Sequence, residues 1–433
     1  MAISNATVML WGVEIAVISW DPQQGGCDFQ YLPEFIQYGI EVAPITMPLQ
    51  AEPYRFLALN KETYKGLPGM LADVLPDKFG NALIDQWLIK QKRSKKDFNP
   101  VERLCYTGTR AMGALEFKPE IQKTKKLSKQ PIEISEMVAL ANDVLNNKAY
   151  KLQADKLGSK EVEYIYQVGT SAGGARAKAI INWNQSTNVI MAGHELPEEG
   201  FDSWLIKFDG VEENKDKEDL ADPKGYGRIE FAYYKLAKSV GINMSECRLL
   251  EESKRAHFMT KRFDRVAGKK IHKTSLCGMA HMDFNDNLSH SYEQVFQVAR
   301  QLGLLADDLE QLIKLMALNV IYRNQDDHTK NIEFLMNQQG TWRLAPVFDL
   351  TFAYREDGIW TRFHQMSINN KRDDFQLSDL VEAGKVAGFS AQKTRNIISL
   401  VESGRKNWEA IAESSGVEMA REKGIRSHFR FLK

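Results

Sequence analysis

The segment 323–331 holds the densest group of side chains that could do chemistry. It reads Arg-Asn-Gln-Asp-Asp-His-Thr-Lys-Asn and follows an apolar stretch, 307–322, that predicts a buried helix. Asp326 and Asn331 lie five positions apart, which is the spacing of a kinase catalytic loop. In such a loop the carboxylate orients or deprotonates the attacking hydroxyl, and the amide oxygen binds magnesium. A polar loop that only caps a helix is the alternative.

A second carboxylate follows at a predicted strand end. Residues 332–345 predict a short hairpin, and the chain then reaches Phe348 and Asp349. Because Mg²⁺ prefers oxygen ligands, Asp349 could hold this ion across the β- and γ-phosphates of a nucleotide. The ordered set of Asp326, Asn331 and Asp349 therefore favours phosphoryl transfer over a purely structural loop.

A stretch rich in small residues, from Gly169 to Lys178, is a candidate phosphate-binding loop. Its backbone N–H groups could approach an anion closely, and Arg176 and Lys178 add positive charge. The G-x-S-x-G pattern of a hydrolase nucleophile elbow is also present, but a predicted strand follows it where that motif needs a helix. A Walker A loop is excluded because Ala175 stands where its lysine should be. A glycine-rich hairpin that binds no ligand is the remaining alternative.

Two further segments could contact a nucleotide. Lys207 lies in an apolar predicted strand, where it either faces water or points into a cleft to pair with phosphates, with Glu230 of the next helix holding it. The segment 261–264 lies where strands give way to helices. A hinge there would offer Phe263 to an adenine ring and Asp264 to a ribose. A charged strand end that faces water is the alternative.

Composition limits the class of protein. The 433 residues carry 57 basic and 57 acidic side chains, so the net charge is zero and non-specific nucleic-acid binding is disfavoured. With 43% apolar residues, a disordered chain is excluded. No apolar run approaches the ~18 residues of a transmembrane helix, and the N-terminus lacks the basic start of a signal peptide. The widely spaced cysteines predict buried thiols in a reducing, cytoplasmic compartment; they are Cys27, Cys105, Cys247 and Cys277.

The elements that must position these side chains divide the chain into parts. Residues 1–120 predict a β-rich subdomain, and a basic linker, 121–134, follows it. Residues 135–265 mix strands and helices, whereas 266–433 are mostly helical, which predicts an α+β, two-lobed nucleotide-binding fold. The predicted helices are 135–146, 228–239, 292–302, 307–322, 377–387 and 391–407, and the predicted strands of the middle part are 164–168, 177–183, 189–192, 204–208 and 257–262.

Taken together, the motifs resemble those of the HipA family, the kinase toxins of bacterial toxin–antitoxin modules. Two N-terminal segments carry the resemblance: 67–77, which reads Leu-Pro-Gly-Met-Leu-Ala-Asp-Val-Leu-Pro-Asp, and 106–115, which ends in Met-Gly-Ala-Leu. Four later segments match family motifs: Ser171 to Lys178, Lys261-Arg262-Phe263-Asp264-Arg265, Asp326 to Asn331, and Phe348-Asp349. The resemblance covers nearly the whole chain, and no single motif would be sufficient.

The resemblance implies a protein-kinase-like core with a mixed β/α N-lobe and a mostly helical C-lobe, preceded by the extra N-terminal β-rich subdomain. It implies ATP-dependent serine/threonine phosphorylation, with Asp326 as catalytic base and Asn331 and Asp349 as Mg²⁺ ligands. Ser171 would be the site of inhibitory autophosphorylation. The implied nucleotide-binding residues are Gly173, Gly174, Ala175, Arg176, Ala177, Lys178, Lys207, Lys261, Arg262, Phe263, Asp264, His328, Lys330, Asn331, Phe348 and Asp349.

The family also implies partners. One is a small HipB-like helix-turn-helix antitoxin that binds operator DNA and neutralises the toxin, so that DNA would be reached mainly through the antitoxin. The other is a protein substrate, for which aminoacyl-tRNA synthetases are the family example; no membrane is implied. Two positions depart from the family pattern: Asp327 adds a carboxylate, with an expected effect on substrate or metal affinity, and Ala177 replaces an acidic residue or proline before Lys178.

Two alternative functions stay open. A small-molecule phosphotransferase could use the same Asp–Asn–Asp set, although the N-terminal family segments favour a protein kinase. A non-catalytic protein could keep the scaffold and act as a co-repressor with its DNA-binding partner. The presence of all expected catalytic side chains argues against that second alternative.

Overall fold

The computed structural model describes residues 3–76, 78–121, 131, 133–145, 176–193, 196–209, 211, 225–252 and 255–433. The predicted strand 164–168 and the loop from Gly169 to Ala175, which includes Ser171, Gly173 and Gly174, lie outside the described residues. All four cysteines are described, and they are buried free thiols as predicted. Within the described ranges, none of the helices has the length and apolar character that a membrane span requires.

The first sheet is antiparallel and belongs to the N-terminal subdomain. Its strands are β1 (Asn5–Leu10), β2 (Val13–Asp21), β3 (Gly26–Tyr31), β4 (Tyr54–Arg55) and β5 (Leu115–Lys118), in the order β4-β3-β2-β1-β5. Trp11 and Gly12 have positive φ values of 49° and 84°, as the two-residue turns that join twisted strands require. The helices of this part are α1 (Pro33–Ile36), α2 (Lys61–Tyr64), α3 (Gly69–Ala72), α4 (Lys78–Lys90) and α5 (Pro100–Thr107).

The second sheet is also antiparallel and carries several candidate nucleotide-binding residues. Its strands are β6 (Lys178–Asn184), β7 (Val189–Ala192), β8 (Asp202–Lys207), β9 (Cys247–Glu252) and β10 (Arg255–Lys261), in the order β7-β6-β8-β10-β9. Two longer helices accompany it, α6 (Ile134–Leu145) and α7 (Tyr226–Ser239). Gly227 allows α7 to approach the sheet closely, because a Cβ there would lie 2.5 Å from the carbonyl oxygen of Ala256.

The last part of the chain is mostly helical. Its helices are α8 (Leu276–Ala280), α9 (Tyr292–Gln301), α10 (Ala306–Ile321), α11 (Leu377–Val386), α12 (Ala391–Ser403), α13 (Trp408–Ser414) and α14 (Met419–Ser427). Its short strands are β11 (Arg265–Val266), β12 (Lys269–Lys270), β13 (His272–Ser275), β14 (Glu333–Met336) and β15 (Trp342–Leu344). Every residue of α10 from Leu312 to Ile321 is buried, so this helix lies at the centre of the helical part. Its C-terminal end leads directly into the segment 323–331.

The N-terminal subdomain is hydrogen-bonded to the helical part next to that segment. The backbone N–H of Gly69 donates to Nε2 of His281 at 3.0 Å, and the backbone N–H of Ser275 donates to the Asp73 carboxylate at 2.7 Å. Helix α8 in turn packs against residues 329–331. The sequence motif 67–77 therefore bonds to the residues that flank α8, and α8 contacts the catalytic-loop candidate.

Most of the predicted elements that fall on described residues agree with the observed ones to within two residues. The strand β9 was not predicted, because its sequence, Cys-Arg-Leu-Leu-Glu-Glu, lacks the alternation of a half-buried strand. The single helix predicted at 391–407 ends at Ser403 and continues as the 3₁₀ turn Gly404–Asn407. The predicted domain boundaries stay predictions.

Candidate functional site

One hydrogen bond joins the two ends of the catalytic-loop candidate, residues 326–331. The side-chain N–H of Asn331 donates to the backbone carbonyl of Asp326 at 2.9 Å, across the predicted spacing of five residues. Because this bond uses the amide nitrogen, the amide oxygen of Asn331 is the atom that could bind a cation. The Asp326 side chain is 39% exposed, so a substrate hydroxyl can reach its carboxylate.

Asp327 faces away from the site and is fully buried. Its carboxylate accepts hydrogen bonds from the Tyr292 hydroxyl at 3.0 Å and from the backbone N–H of Gln365 at 2.8 Å, and it lies 2.8 Å from Nδ1 of His364. The expected effect of this extra carboxylate on substrate or metal affinity has no geometric basis, because both oxygens bond inside the core. Its role is to hold residues 364–365 against the loop.

On the opposite side of the site, Lys207 lies between two carboxylates. Its Nζ is 2.6 Å from Oε2 of Glu230 and also contacts Oδ1 of Asp349. Lys207 ends β8, Glu230 lies in α7, and Asp349 follows β15, so three distant parts of the chain meet at this ammonium group. Of the two predicted orientations, Lys207 adopts the one that points into the cleft, and Glu230 is the predicted partner.

The charges of this cluster stabilise one another. Burial opposes ionisation of Asp349, but Lys207, Lys178 and Arg176 outweigh it and hold the pKa of its carboxyl below the ordinary value. Burial also opposes the charge on Lys207, but Asp349 and Glu230 raise the pKa of its ammonium group above the ordinary value. Asp349 and Lys207 are therefore both charged at neutral pH.

The backbone at Asp349 is unusual as well. Its φ is +56°, in the left-handed region that few residues other than glycine adopt. Residues held in this way concentrate at functional sites, because the surrounding structure must stabilise the strained conformation. The direction of the Asp349 carboxylate is thus set by both the backbone and the bond to Lys207.

Two more cations lie at the described end of the glycine-rich loop. Nη1 of Arg176 is 2.6 Å from Oε1 of Glu230, and its guanidinium group lies 3.6 Å from the ring centroid of Tyr226. Lys178 is buried and is the direct cross-strand partner of Lys207, so both side chains point to the same face of the sheet. Like charges in direct opposition destabilise a sheet, and the Asp349 carboxylate, whose pKa is lowered by both lysines, offsets this repulsion. The pair therefore places two cations on the face of the sheet next to Asp349.

The predicted hinge residues do not all face the site. The buried carboxylate of Asp264 lies 2.7 Å from Nη2 of Arg262 and 2.9 Å from Nη1 of Arg265, and accepts the backbone N–H of Gly113 at 2.6 Å. The predicted contact of the Asp264 side chain with a ribose is therefore wrong, because its oxygens neutralise two arginines inside the core. Arg262 is buried in the same cluster, which joins the N-terminal subdomain to the rest of the chain.

Phe263 provides the part of the hinge that does face the site. Its ring centroid lies 5.8 Å from that of Phe348. Phe348, His328 and Asn331 also line one small cavity, so the hinge and the catalytic-loop candidate meet at Phe348. These are aromatic surfaces of the kind on which a flat base could stack.

The remaining predicted residues, Lys261 and Lys330, lie at the edges of the site. Nζ of Lys261 is 2.7 Å from the Asp202 carboxylate in a partly exposed ion pair. Nζ of Lys330 lies 4.7 Å from the ring centroid of Phe284 and 4.0 Å from Oδ1 of Asp73. Lys330 thus links the catalytic-loop candidate to the N-terminal subdomain.

The oxygen donors of the site fit a hard divalent cation. Mg²⁺ is commonly held by one or two protein oxygens, with water and substrate phosphates as its other ligands. The Asp349 carboxylate and the Asn331 amide oxygen are donors of this kind. Among the described residues, no group of three or more His, Cys, Asp or Glu side chains could hold a metal ion.

One contact of the catalytic-loop candidate was not predicted. The indole N–H of Trp360 donates to Oδ1 of Asp326 at 2.8 Å, although the two residues are 34 positions apart. The tryptophans are dispersed in the sequence and predict core or interface positions. No local spacing could have indicated this bond.

The fold and the site together define a class: a two-lobed, kinase-like α+β protein with an additional N-terminal subdomain, as predicted. Residues 6–118 match the HipA N-terminal domain, and residues 170–408 match the HipA-like C-terminal domain. The chain belongs to the HipA family.

A solved structure agrees with this assignment at the level of fold. HipA of Shewanella oneidensis MR-1, from a toxin–antitoxin complex of HipA, HipB and operator DNA, is 16% identical, with 98% of this chain and 94% of that chain covered and a TM-score of 0.66. The Helicobacter pylori proinflammatory kinase CtkA is 10% identical, with 52% of this chain and 93% of that chain covered and a TM-score of 0.27, which is too low to indicate a shared fold. A comparison with curated proteins found no match.

Proposed function

We propose that this protein is an ATP- and Mg²⁺-dependent serine/threonine protein kinase and the toxin of a type II toxin–antitoxin module. The observation that carries the proposal is the position of Lys207 between Glu230 and Asp349, with Lys178 directly across the sheet. A strand lysine that pairs with a helix glutamate and faces a carboxylate at a strand end is the arrangement of a kinase nucleotide site.

In the proposed reaction, a substrate hydroxyl attacks the γ-phosphorus of ATP. Asp326 accepts the hydroxyl proton while the new O–P bond forms. The bond from the γ-phosphorus to the β–γ bridging oxygen breaks with its electron pair, ADP leaves, and Asp326 later releases the proton to water. Lys207 and Lys178 bind the phosphates. Asn331 and Asp349 would hold Mg²⁺, which when bound neutralises phosphate charge.

The adenine would occupy the aromatic side of the site. Phe263 offers a ring at the hinge, and the tilted ring of Phe348 closes the same wall. The cations Arg176 and Lys178 would complete the phosphate-binding end together with the backbone of Gly173 to Ala177. This assignment keeps Asp264 and the Arg262 side chain out of the nucleotide site, because they are used in the core.

Autophosphorylation of Ser171 would make the toxin self-limiting. A phosphate there adds a charge of about −1.5 to −2 at neutral pH, and it would compete with ATP for the loop N–H groups and for Lys178. We expect mass spectrometry after incubation with Mg-ATP to find the phosphate on Ser171, and the modified protein to bind ATP more weakly. Phosphate on another residue, or unchanged ATP affinity of the modified protein, would contradict the switch.

The partner would be a HipB-like antitoxin. The support is the match of residues 6–118 to the HipA N-terminal domain and the fold likeness to a HipA from a complex with HipB and operator DNA. The zero net charge fits a chain that reaches DNA mainly through its partner. The toxic effect in the cytoplasm would be phosphorylation of a translation protein, which inhibits growth.

The test is to incubate the purified full-length protein with Mg-ATP labelled at the γ-phosphate, alone and with a bacterial lysate. We expect stable label on a serine or threonine of the protein itself or of a lysate protein. Label found only in small molecules would instead indicate a small-molecule phosphotransferase. Operator repression with an antitoxin in the absence of any transfer would indicate a non-catalytic co-repressor.

A further inference from the structure

Trp360 lies beside the proposed catalytic base. Its indole N–H donates to Oδ1 of Asp326 at 2.8 Å, while Nε2 of His328 lies 3.7 Å from the same oxygen. Both neighbours therefore approach one oxygen of the carboxylate. Within the part of the chain that the structure describes, these contacts leave Oδ2 as the atom for a substrate hydroxyl.

The segment that carries Trp360 is fixed to the same loop by the next aspartate. Asp327 accepts the backbone N–H of Gln365 at 2.8 Å, and the Gln365 side chain donates to the carbonyl oxygens of Trp360 and, at 3.2 Å, Phe363. The carboxylates of Asp326 and Asp327 thus both contact the segment 360–365. Asp327 holds the buried end of this segment, and Asp326 accepts the indole hydrogen bond at the open end.

The open end borders solvent. The Asp326 side chain is 39% exposed, and Ile359, which precedes Trp360, is 93% exposed. The last torsion of an aspartate side chain has a broad, roughly two-fold distribution, so a carboxylate at an exposed position exchanges its oxygens unless a partner fixes them. A single directed donor on one oxygen is enough to break that equivalence.

We propose that Trp360 is a positioning residue for phosphoryl transfer: its N–H fixes Oδ1 of Asp326 and turns Oδ2 toward the acceptor hydroxyl. This role rests on the proposed function, because it requires Asp326 to act on an acceptor. In this role Trp360 acts on Asp326 and not on the nucleotide. Its loss should therefore lower kcat without changing the KM for ATP.

The test compares Trp360→Phe, which removes the N–H and keeps an aromatic ring, with the matched control Trp183→Phe. Trp183 donates a similar indole bond, 3.0 Å to Asn188, on an exposed hairpin. We expect kcat to fall roughly tenfold in Trp360→Phe, a part of the ~10²- to 10⁴-fold contribution of an oriented base. The KM for ATP, calorimetric ATP affinity and melting temperature should stay at the wild-type values, as they should in the control.

A second measurement detects the contact without turnover. The indole ¹H–¹⁵N signal of Trp360, assigned by its absence in Trp360→Phe, should shift in Asp326→Ala; an unmoved signal would overturn the proposal. If the wild type transfers phosphate and Trp360→Phe keeps its kcat, the positioning role is wrong and the proposed function stands. A lower kcat with equally weakened ATP binding would also overturn it, since that indicates a structural role. A wild type that transfers no phosphate would overturn both.

Discussion

The two halves of the site are built differently. The nucleotide-side cluster, defined as Arg176, Lys178, Lys207, Glu230 and Asp349, is held by ion pairs between segments that are far apart in the chain. The acceptor-side loop is defined as Asp326 to Asn331 with Trp360. It is held by two hydrogen bonds to Asp326, one from Asn331 and one from Trp360. In the first, Arg176 and Lys207 share the buried carboxylate of Glu230; in the second, no cation of the described residues lies within ion-pair distance of Asp326 except His328, at 3.7 Å.

The difference separates two tasks. Charges that are fixed by ion pairs bind a polyanion with little rearrangement, because their orientation is already determined. An exposed carboxylate with one directed donor can receive a proton from a substrate that arrives from solvent. Changes in the nucleotide-side cluster should therefore affect ATP affinity, and changes in the acceptor-side loop should affect turnover.

The largest effect is expected for Asp326→Asn. Loss of the base should reduce the transfer rate by about 10²- to 10⁴-fold, while ATP affinity stays close to wild type because no nucleotide contact is removed. The rate of label transfer from γ-labelled Mg-ATP measures it. Asp357→Asn is the control, since this exposed carboxylate pairs with Arg355 in the segment that carries Trp360. Equal rates in Asp326→Asn and wild type would remove Asp326 from the mechanism.

A smaller effect is expected for Asp349→Asn. It removes one of the two carboxylates on Lys207, which is also the proposed Mg²⁺ ligand, so ATP affinity in magnesium should fall by at least about tenfold, the value of one charge-assisted bond. Calorimetry with and without magnesium measures it. Asp28→Asn is the control, because Asp28 forms a similarly exposed carboxylate pair with Arg55 in the N-terminal sheet. Unchanged affinity in magnesium would exclude a metal role for Asp349.

The next prediction concerns Glu230→Gln. The change removes the buried anion that Lys207 and Arg176 share, which should lower the free energy of unfolding by about 3 kcal/mol. It should also weaken ATP binding as Lys207 loses its orientation. Glu251→Gln serves as control: it breaks an exposed pair with Arg228, also of α7, and should cost no more than about 1 kcal/mol. Urea titration distinguishes them, and equal losses would show that the Glu230 cluster has no special stability.

Sequence reasoning found the acceptor-side loop because its key bond, from Asn331 to Asp326, spans only five residues. It identified Lys207 and Glu230 from their residue types, but it did not predict that Arg176 pairs with the same glutamate. It misplaced Asp264, whose partner Gly113 lies 151 positions away, and missed Trp360, 34 positions from Asp326. Local spacing encodes turns and helix faces; the partner that a charged side chain meets across the fold depends on packing that the sequence pattern does not contain.

A further effect should appear with pH at His281, which directly follows helix α8. His281 accepts the Gly69 N–H, and burial lowers its pKa to about 4. The folded pKa lies below the unfolded value of ~6.5, so its contribution is complete above that value and is lost as the pH falls toward 4. Unfolding free energy should drop by about 2 kcal/mol between pH 7 and 5 from this group.

His281→Asn tests this pH effect, because asparagine keeps an oxygen acceptor and tolerates the φ of +53° at this position. Urea titrations at pH 7 and pH 5 should show a smaller pH-dependent loss in this variant than in wild type. The exposed His428→Asn should keep the wild-type loss. The same loss in all three proteins would show that His281 stays neutral without affecting stability.

The most direct measurement compares the two halves of the site. It records ATP affinity in magnesium and the transfer rate for both Asp326→Asn and Asp349→Asn. We predict a crossed result: Asp326→Asn keeps its affinity and loses transfer, whereas Asp349→Asn loses affinity first and recovers part of its rate at saturating Mg-ATP. If both variants lose the same property to the same extent, or if Asp326→Asn transfers phosphate like wild type, the division of the site into nucleotide and acceptor halves is wrong.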